Sequence, residues 1–151
     1  MRITGIESHV LQYDLDEPLG YSQQYFTKRT AHLVQVSTDE GITGWGECYA
    51  TSIGPEPMRG VIEDVFARHM LGENPENIER MFRRAYSAGF TQRPDLTVMG
   101  AFSGLEIACW DILGKARGRP VWAMLGGRMN DRIRAYTYLY PLPHHDLTAF
   151  W

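Results

Sequence analysis

The stretch Phe102–Gly127, FSGLEIACWDILGKARGRPVWAMLGG, restricts what this chain can fold into more than any other. With the residues just before it, it places Val98, Ala101, Phe102, Leu105, Ala108, Cys109, Ile112 and Ala116 at three- and four-residue intervals. That spacing lines one face of an α-helix. The helix is expected from about Thr97 to Arg117, where Gly118 and Pro120 end it. A short second turn of helix and the glycine pair Gly126-Gly127 follow. A long helix with one apolar face needs another layer to cover that face, so the sequence before it must supply one.

Two kinds of element are available there. Ile3, Ile6, Val10 and Leu11, interleaved with Thr4, Ser8, Gln12 and Tyr13, read as an opening strand. The segment Asp14–Lys28 carries Pro18, Gly20 and many polar residues, a loop composition. Thr30–Ser37 and Ile42–Cys48 are strand-like runs joined by Thr38-Asp39-Glu40-Gly41, which predicts a hairpin. The period then changes. Met58, Val61, Ile62, Val65, Phe66 and Met70 predict a helix stopped by Gly72. Asn74-Pro75 reads as a cap and first helical residue, followed by Ile78, Met81, Phe82, Ala85 and Tyr86, with Gly89 at the end. The expected fold is α+β, a three-stranded antiparallel sheet followed by a three-helix bundle packed on one sheet face. Beyond it, Arg132–Tyr140 reads as a further strand and Asp146–Trp151 as the beginning of a helix.

Composition limits function more than it reveals it. The 151 residues are 44% hydrophobic, enough for one domain with a real core, and the formal charge of -3 offers nucleic acid no basic surface. No uninterrupted apolar run approaches the ~18 residues of a membrane span, and the N-terminus lacks a secretory apolar region. Cys48 and Cys109 share no metal or redox spacing. The expectation is a cytoplasmic protein with reduced thiols, no nucleic-acid partner and no membrane partner.

Few residues suggest chemistry. Asp111 and Lys115 stand four apart and can pair on one helical face. Glu106 and Asp111 are separated by about 140° around the helix and so make no carboxylate pair. In Gly44-Trp45-Gly46-Glu47, Tyr49 occupies the place where a dinucleotide fingerprint needs its third glycine. The two glycines read instead as room for strand twist or for the close approach of another backbone. Glu47, a carboxylate at a strand end, could orient a neighbour, although a structural ion pair is the commoner role. None of His9, His32, His69, His144 and His145 belongs to a metal-binding motif, and no nucleophile or phosphate-loop motif occurs.

Two segments are more specific in combination. These are TDEGITGWGE at 38–47 and GLEIACWDILGKARGRPVWAMLGG at 104–127, within which Gly114, Lys115, Gly118, Pro120, Val121, Leu125, Gly126 and Gly127 keep a fixed order. Together with the sheet-then-helices plan they resemble the N-terminal capping domain of the mandelate racemase and muconate-lactonising family in the enolase superfamily. Glu106 and Cys109 depart from the residues usual there. The resemblance implies a capping domain at 1–127 and the start of a truncated barrel at 128–151, its first strand being RIRAYTYLY.

The same resemblance implies a reaction. A base removes the proton α to a carboxylate, and a magnesium ion stabilises the enediolate. Both would stand on a (β/α)₈ barrel of ~250 residues, which a chain with 24 residues after Gly127 does not supply. No catalytic residue and no metal ligand is therefore expected in this chain, which alone is expected to be inactive and to bind no magnesium. The capping domain would contribute two loops over the barrel mouth, here Glu17–Lys28 and Tyr49–Pro57. From these, Tyr21, Gln24, Tyr25, Tyr49 and Thr51 are the expected substrate contacts. Their hydroxyl and amide groups favour a hydroxylated substrate, so the expected parent enzyme is an acid-sugar dehydratase that is a homo-oligomer. A racemase, epimerase or cycloisomerase of the same family is the alternative, and a stand-alone, non-catalytic interaction module is a third.

Overall fold

A computed structural model describes residues 1–21, 24–49 and 53–137, leaving out the side chains of Tyr21 and Gln24. Three strands, β1 (Ile3–Tyr21), β2 (Gln24–Thr38) and β3 (Thr43–Cys48), form one antiparallel sheet in the order β1-β2-β3. The helices α1 (Pro55–His69), α2 (Ile78–Ala88), α3 (Leu96–Arg117) and the short α4 (Val121–Met124) follow. A 3-10 turn at Phe90–Gln92 stands between α2 and α3. The expected α+β architecture is present.

The apolar stripe of α3 finds its cover on the sheet. Ala101, Phe102, Gly104, Leu105, Ala108, Cys109, Ile112 and Leu113 are buried. They share one core with Ile3, Val34, Val36 and Cys48 of the sheet and with Met58, Ile62, Val65 and Met81 of α1 and α2. By length and composition α3 could cross a bilayer, but here that apolarity closes the core. Asp95 caps its start by accepting hydrogen bonds from the N–H groups of Thr97 and Val98 at 3.0 and 3.2 Å. Gly118, left-handed at φ 58°, ends it, with its N–H bonded back to Gly114 and Lys115.

Glycines set how close α3 comes to β3. A Cβ built on Gly44 would lie 2.1 Å from the Ala108 carbonyl oxygen, and one on Gly46 only 1.9 Å from that of Gly104. In return, a Cβ on Gly104 would meet Cys48 Sγ at 2.3 Å. Backbone lies on backbone along this seam, as the glycine pair in the sequence suggested. The outer edge of β3 is covered by the same helix. Asp111 accepts the Trp45 N–H at 2.9 Å, and Lys115 donates to the Thr43 carbonyl at 2.8 Å. Edge groups satisfied in this way are not left to recruit another strand.

Three expectations need correction. Asp14–Lys28 is not a loop: β1 and β2 run on through it as a two-stranded arm, with a register shift between Asp14 and Leu19. Neither face of the arm is fully covered, so its polar residues sit in water while the backbone stays paired, and Pro18 falls within the irregular part of an edge strand. Asn74 does not cap α2. It closes a turn of its own by accepting the Glu76 N–H at 3.0 Å, and α2 begins after Asn77. The strand expected at Arg132–Tyr140 does not form over its described part, residues 132–137. Residues 138–140 and the helix expected at Asp146–Trp151 lie outside the described residues.

Candidate functional site

Sheet topology decides where the expected substrate contacts stand. β1 ends, β2 begins and β3 ends at one end of the sheet, so Tyr25 and Tyr49 both lie towards that end. Among the described residues, the backbones of Tyr25 and Tyr49 stand well apart. Cys48 is level with His32 on β2, whereas Tyr25 stands farther along the arm, roughly 20 Å on at the usual rise per residue. Tyr25 is half exposed, with its ring against Gly20. Tyr49 is more exposed and donates its N–H to the Gly100 carbonyl at 3.4 Å. The side chains of Tyr21 and Gln24, and the whole of Thr51, lie outside the described residues.

The charged residues of α3 serve the seam. Asp111 and Lys115 pair at 2.7 Å while each also holds β3. Glu106 instead accepts from the Trp110 indole N–H at 3.4 Å, so the two carboxylates act separately. Glu47 is exposed on the sheet face away from the helices, the face where His9 and Trp45 bring their rings to 5.3 Å. Burial pushes the Cys48 and Cys109 thiols up to about 12, so neither is a thiolate nucleophile at neutral pH. Among the described residues no group of three His, Cys, Asp or Glu side chains could hold a metal ion.

One polar cluster was not picked out from the sequence. His32 is 1% exposed, with Nε2 2.5 Å from Ser8 Oγ and Nδ1 without a partner among the described residues. Alternation along β2 carried the signal, since His32 shares the inward face of Val34 and Val36. Arg59 of α1 donates to the Ser8 carbonyl at 3.1 Å and pairs with Glu56.

Burial, reinforced by Arg59 and opposed by Glu56, lowers the pKa of His32 below 6.5. Burial with Arg68 and Arg84, against Asp64, does the same for His69. A base whose folded pKa is depressed stabilises the fold above its unfolded pKa. That stability is lost as pH falls from about 6.5 through the folded value. The melting temperature should accordingly fall as pH drops from 7.5 towards 5. A level profile across that window in thermal denaturation would contradict the burial of these two rings.

Comparison with known proteins adds the family. Residues 6–126 match the family model described as mandelate racemase / muconate lactonizing enzyme, N-terminal domain. The chain is 33% identical over 136 residues to a D-galactarolactone cycloisomerase of Agrobacterium fabrum, covering 90% of this chain and 35% of that protein. It is 39% identical over 107 residues to a D-galactonate dehydratase of Xanthomonas campestris pv. campestris, covering 71% and 27%. A mandelate racemase/muconate lactonizing enzyme-like protein from Roseovarius sp. TM1035 superposes with a TM-score of 0.77 at 66% identity, covering 100% of this chain and 36% of that one. A mandelate racemase/muconate lactonizing enzyme from Jannaschia sp. CCS1 gives 0.75 at 58% identity, covering 100% and 37%. The chain thus spans about a third of the length of these relatives.

Proposed function

We propose, because this chain belongs to the mandelate racemase / muconate lactonizing enzyme family and carries its N-terminal domain, that it is the capping part of a sugar-acid dehydratase. The observation that supports this reading most is the similarity to a D-galactonate dehydratase, beside the polar, tyrosine-bearing composition of residues 17–28 and 49–57. The proton abstraction α to a carboxylate would belong to a barrel, and magnesium, when bound there, would stabilise the charge that develops. This chain's own residues would exclude water and hold the distal hydroxyls of the substrate. Tyr21, Gln24, Tyr25, Tyr49 and Thr51 are the proposed contacts. A cycloisomerase is the second reading, favoured by the similarity to the D-galactarolactone enzyme.

Kinetics of the intact protein on D-galactonate and D-galactarolactone separate the two readings by the mass of the product, one water lighter than the substrate for a dehydratase and isomeric with it for a cycloisomerase. Tyr25→Phe and Tyr49→Phe remove one hydrogen bond each and should raise KM by up to about tenfold, with a smaller change in kcat. Unchanged kinetics in both variants would remove these tyrosines from the substrate contacts.

A further inference from the structure

We propose that His32 is a positioning residue that ties the β1–β2 arm to the first turn of α1 while neutral and releases it when protonated. Past Val10 on β1, and through residues 25–30 on β2, every side chain the structure describes is exposed or half-buried. A two-stranded ribbon of that kind is marginal alone, so its order depends on its root. That root is Ser8. Its hydroxyl meets His32 Nε2 at 2.5 Å, and its carbonyl accepts from Arg59 at 3.1 Å. Arg59 and Glu56 both belong to the first turn and a half of α1 and lie 3.5 Å apart.

The tautomer with its hydrogen on Nε2 donates to Ser8 Oγ and leaves Nδ1 a bare acceptor, the least costly way to bury this ring. Protonation adds an N–H at Nδ1 with no acceptor among the described residues to receive it, and buried orphan donors are rarely tolerated. It also brings a second cation onto Ser8 beside Arg59. Around His32, α1 contributes Arg59 and Glu56. β3 contributes Cys48, whose thiol stays neutral, and α3 approaches Cys48 through the uncharged Ala101 and Gly104. β1 contributes the hydroxyl of Ser8. Glu56 is largely exposed, so solvent screens its help. The role of the arm at a substrate rests on the function proposed above, whereas the coupling itself does not.

Hydrogen–deuterium exchange of the intact protein from pH 7.5 to 5, corrected for intrinsic rates, tests the coupling without any turnover. The arm amides at 10–21 and 24–30 should lose about tenfold more protection than those of α3 as His32 protonates. The variant His32→Gln, whose amide can donate to Ser8 Oγ without titrating, should keep arm protection level across the range. Arm and α3 amides losing protection together, or an unchanged pH response in His32→Gln, would overturn the proposal. In the wild-type protein, NMR titration should give the His32 ring and the Ser8 and Arg59 amides one shared midpoint, and independent midpoints would overturn it as well. Failure of the function proposed above would appear as absent turnover with this exchange pattern intact.

Discussion

Replacing Gly46 with alanine should destabilise the domain by about 3 kcal/mol and lower its melting temperature by roughly 10 °C. The new Cβ has no room. It would lie 1.9 Å from the Gly104 carbonyl oxygen and 3.1 Å from the Ala108 nitrogen, both backbone atoms of the central helix. No rotamer relieves a clash with backbone, so α3 must move off β3. That movement lengthens the hydrogen bonds from Trp45 to Asp111 and from Lys115 to Thr43. Gly60→Ala is the matched control, since a Cβ there meets nothing within 4 Å on an exposed face of α1. It should stabilise the domain by about 0.5–1 kcal/mol through better helix propensity. Urea denaturation of both variants checks the pair, and equal stabilities would mean that the seam is not as close as described.

Phe102→Ala should cost about 3–5 kcal/mol, the range for removing a buried aromatic ring. Phe102 is 1% exposed, and Phe82 packs on it with ring centroids 5.9 Å apart at 58°. It joins α3 to α2 within the single core, so truncation leaves a cavity where two helices meet. Phe102→Leu should recover most of the loss by refilling the space. Urea midpoints at constant m-value measure both. A loss under about 1 kcal/mol for the alanine variant would show that the helices close over the gap and that this contact does not fix their packing.

The buried half of the fold is the half that could be read from the sequence. α3 is legible because one face is buried against β3 and the other is not, which gives the apolar residues a helical period. The β2–β3 hairpin is legible for the same reason, with Val34, Val36 and Cys48 inward. The arm is not, because neither face of Leu11–Gly20 or Tyr25–Thr30 is fully covered. Without a buried face, a paired strand has no alternation to show, and its composition is that of a loop. Gly44 and Gly46 announced a close approach, but not that Ala108 and Gly104 would be the backbones approaching. Alternation along β2 marks His32 as inward, but its partners Ser8 and Arg59 stand on elements far from it in sequence, so no local spacing could reveal the cluster. Tyr25 and Tyr49 were placed by resemblance, and their polar character alone would suit solvent equally well.

These observations describe a domain organised by one helix on one strand, with an arm and a tyrosine-bearing segment carried to the same end of the sheet. The function proposed above has this assembly capping a site where the proton α to a carboxylate is removed from a hydroxylated acid. Incubating the intact protein with sugar acids in deuterium oxide and following the α position by NMR tests that claim most directly. Deuterium at the α carbon of recovered substrate, or dehydrated or rearranged product formed through its loss, is the predicted result. Full retention of the α proton in every hydroxylated acid, with turnover only of an aromatic or alkyl carboxylate, would contradict it.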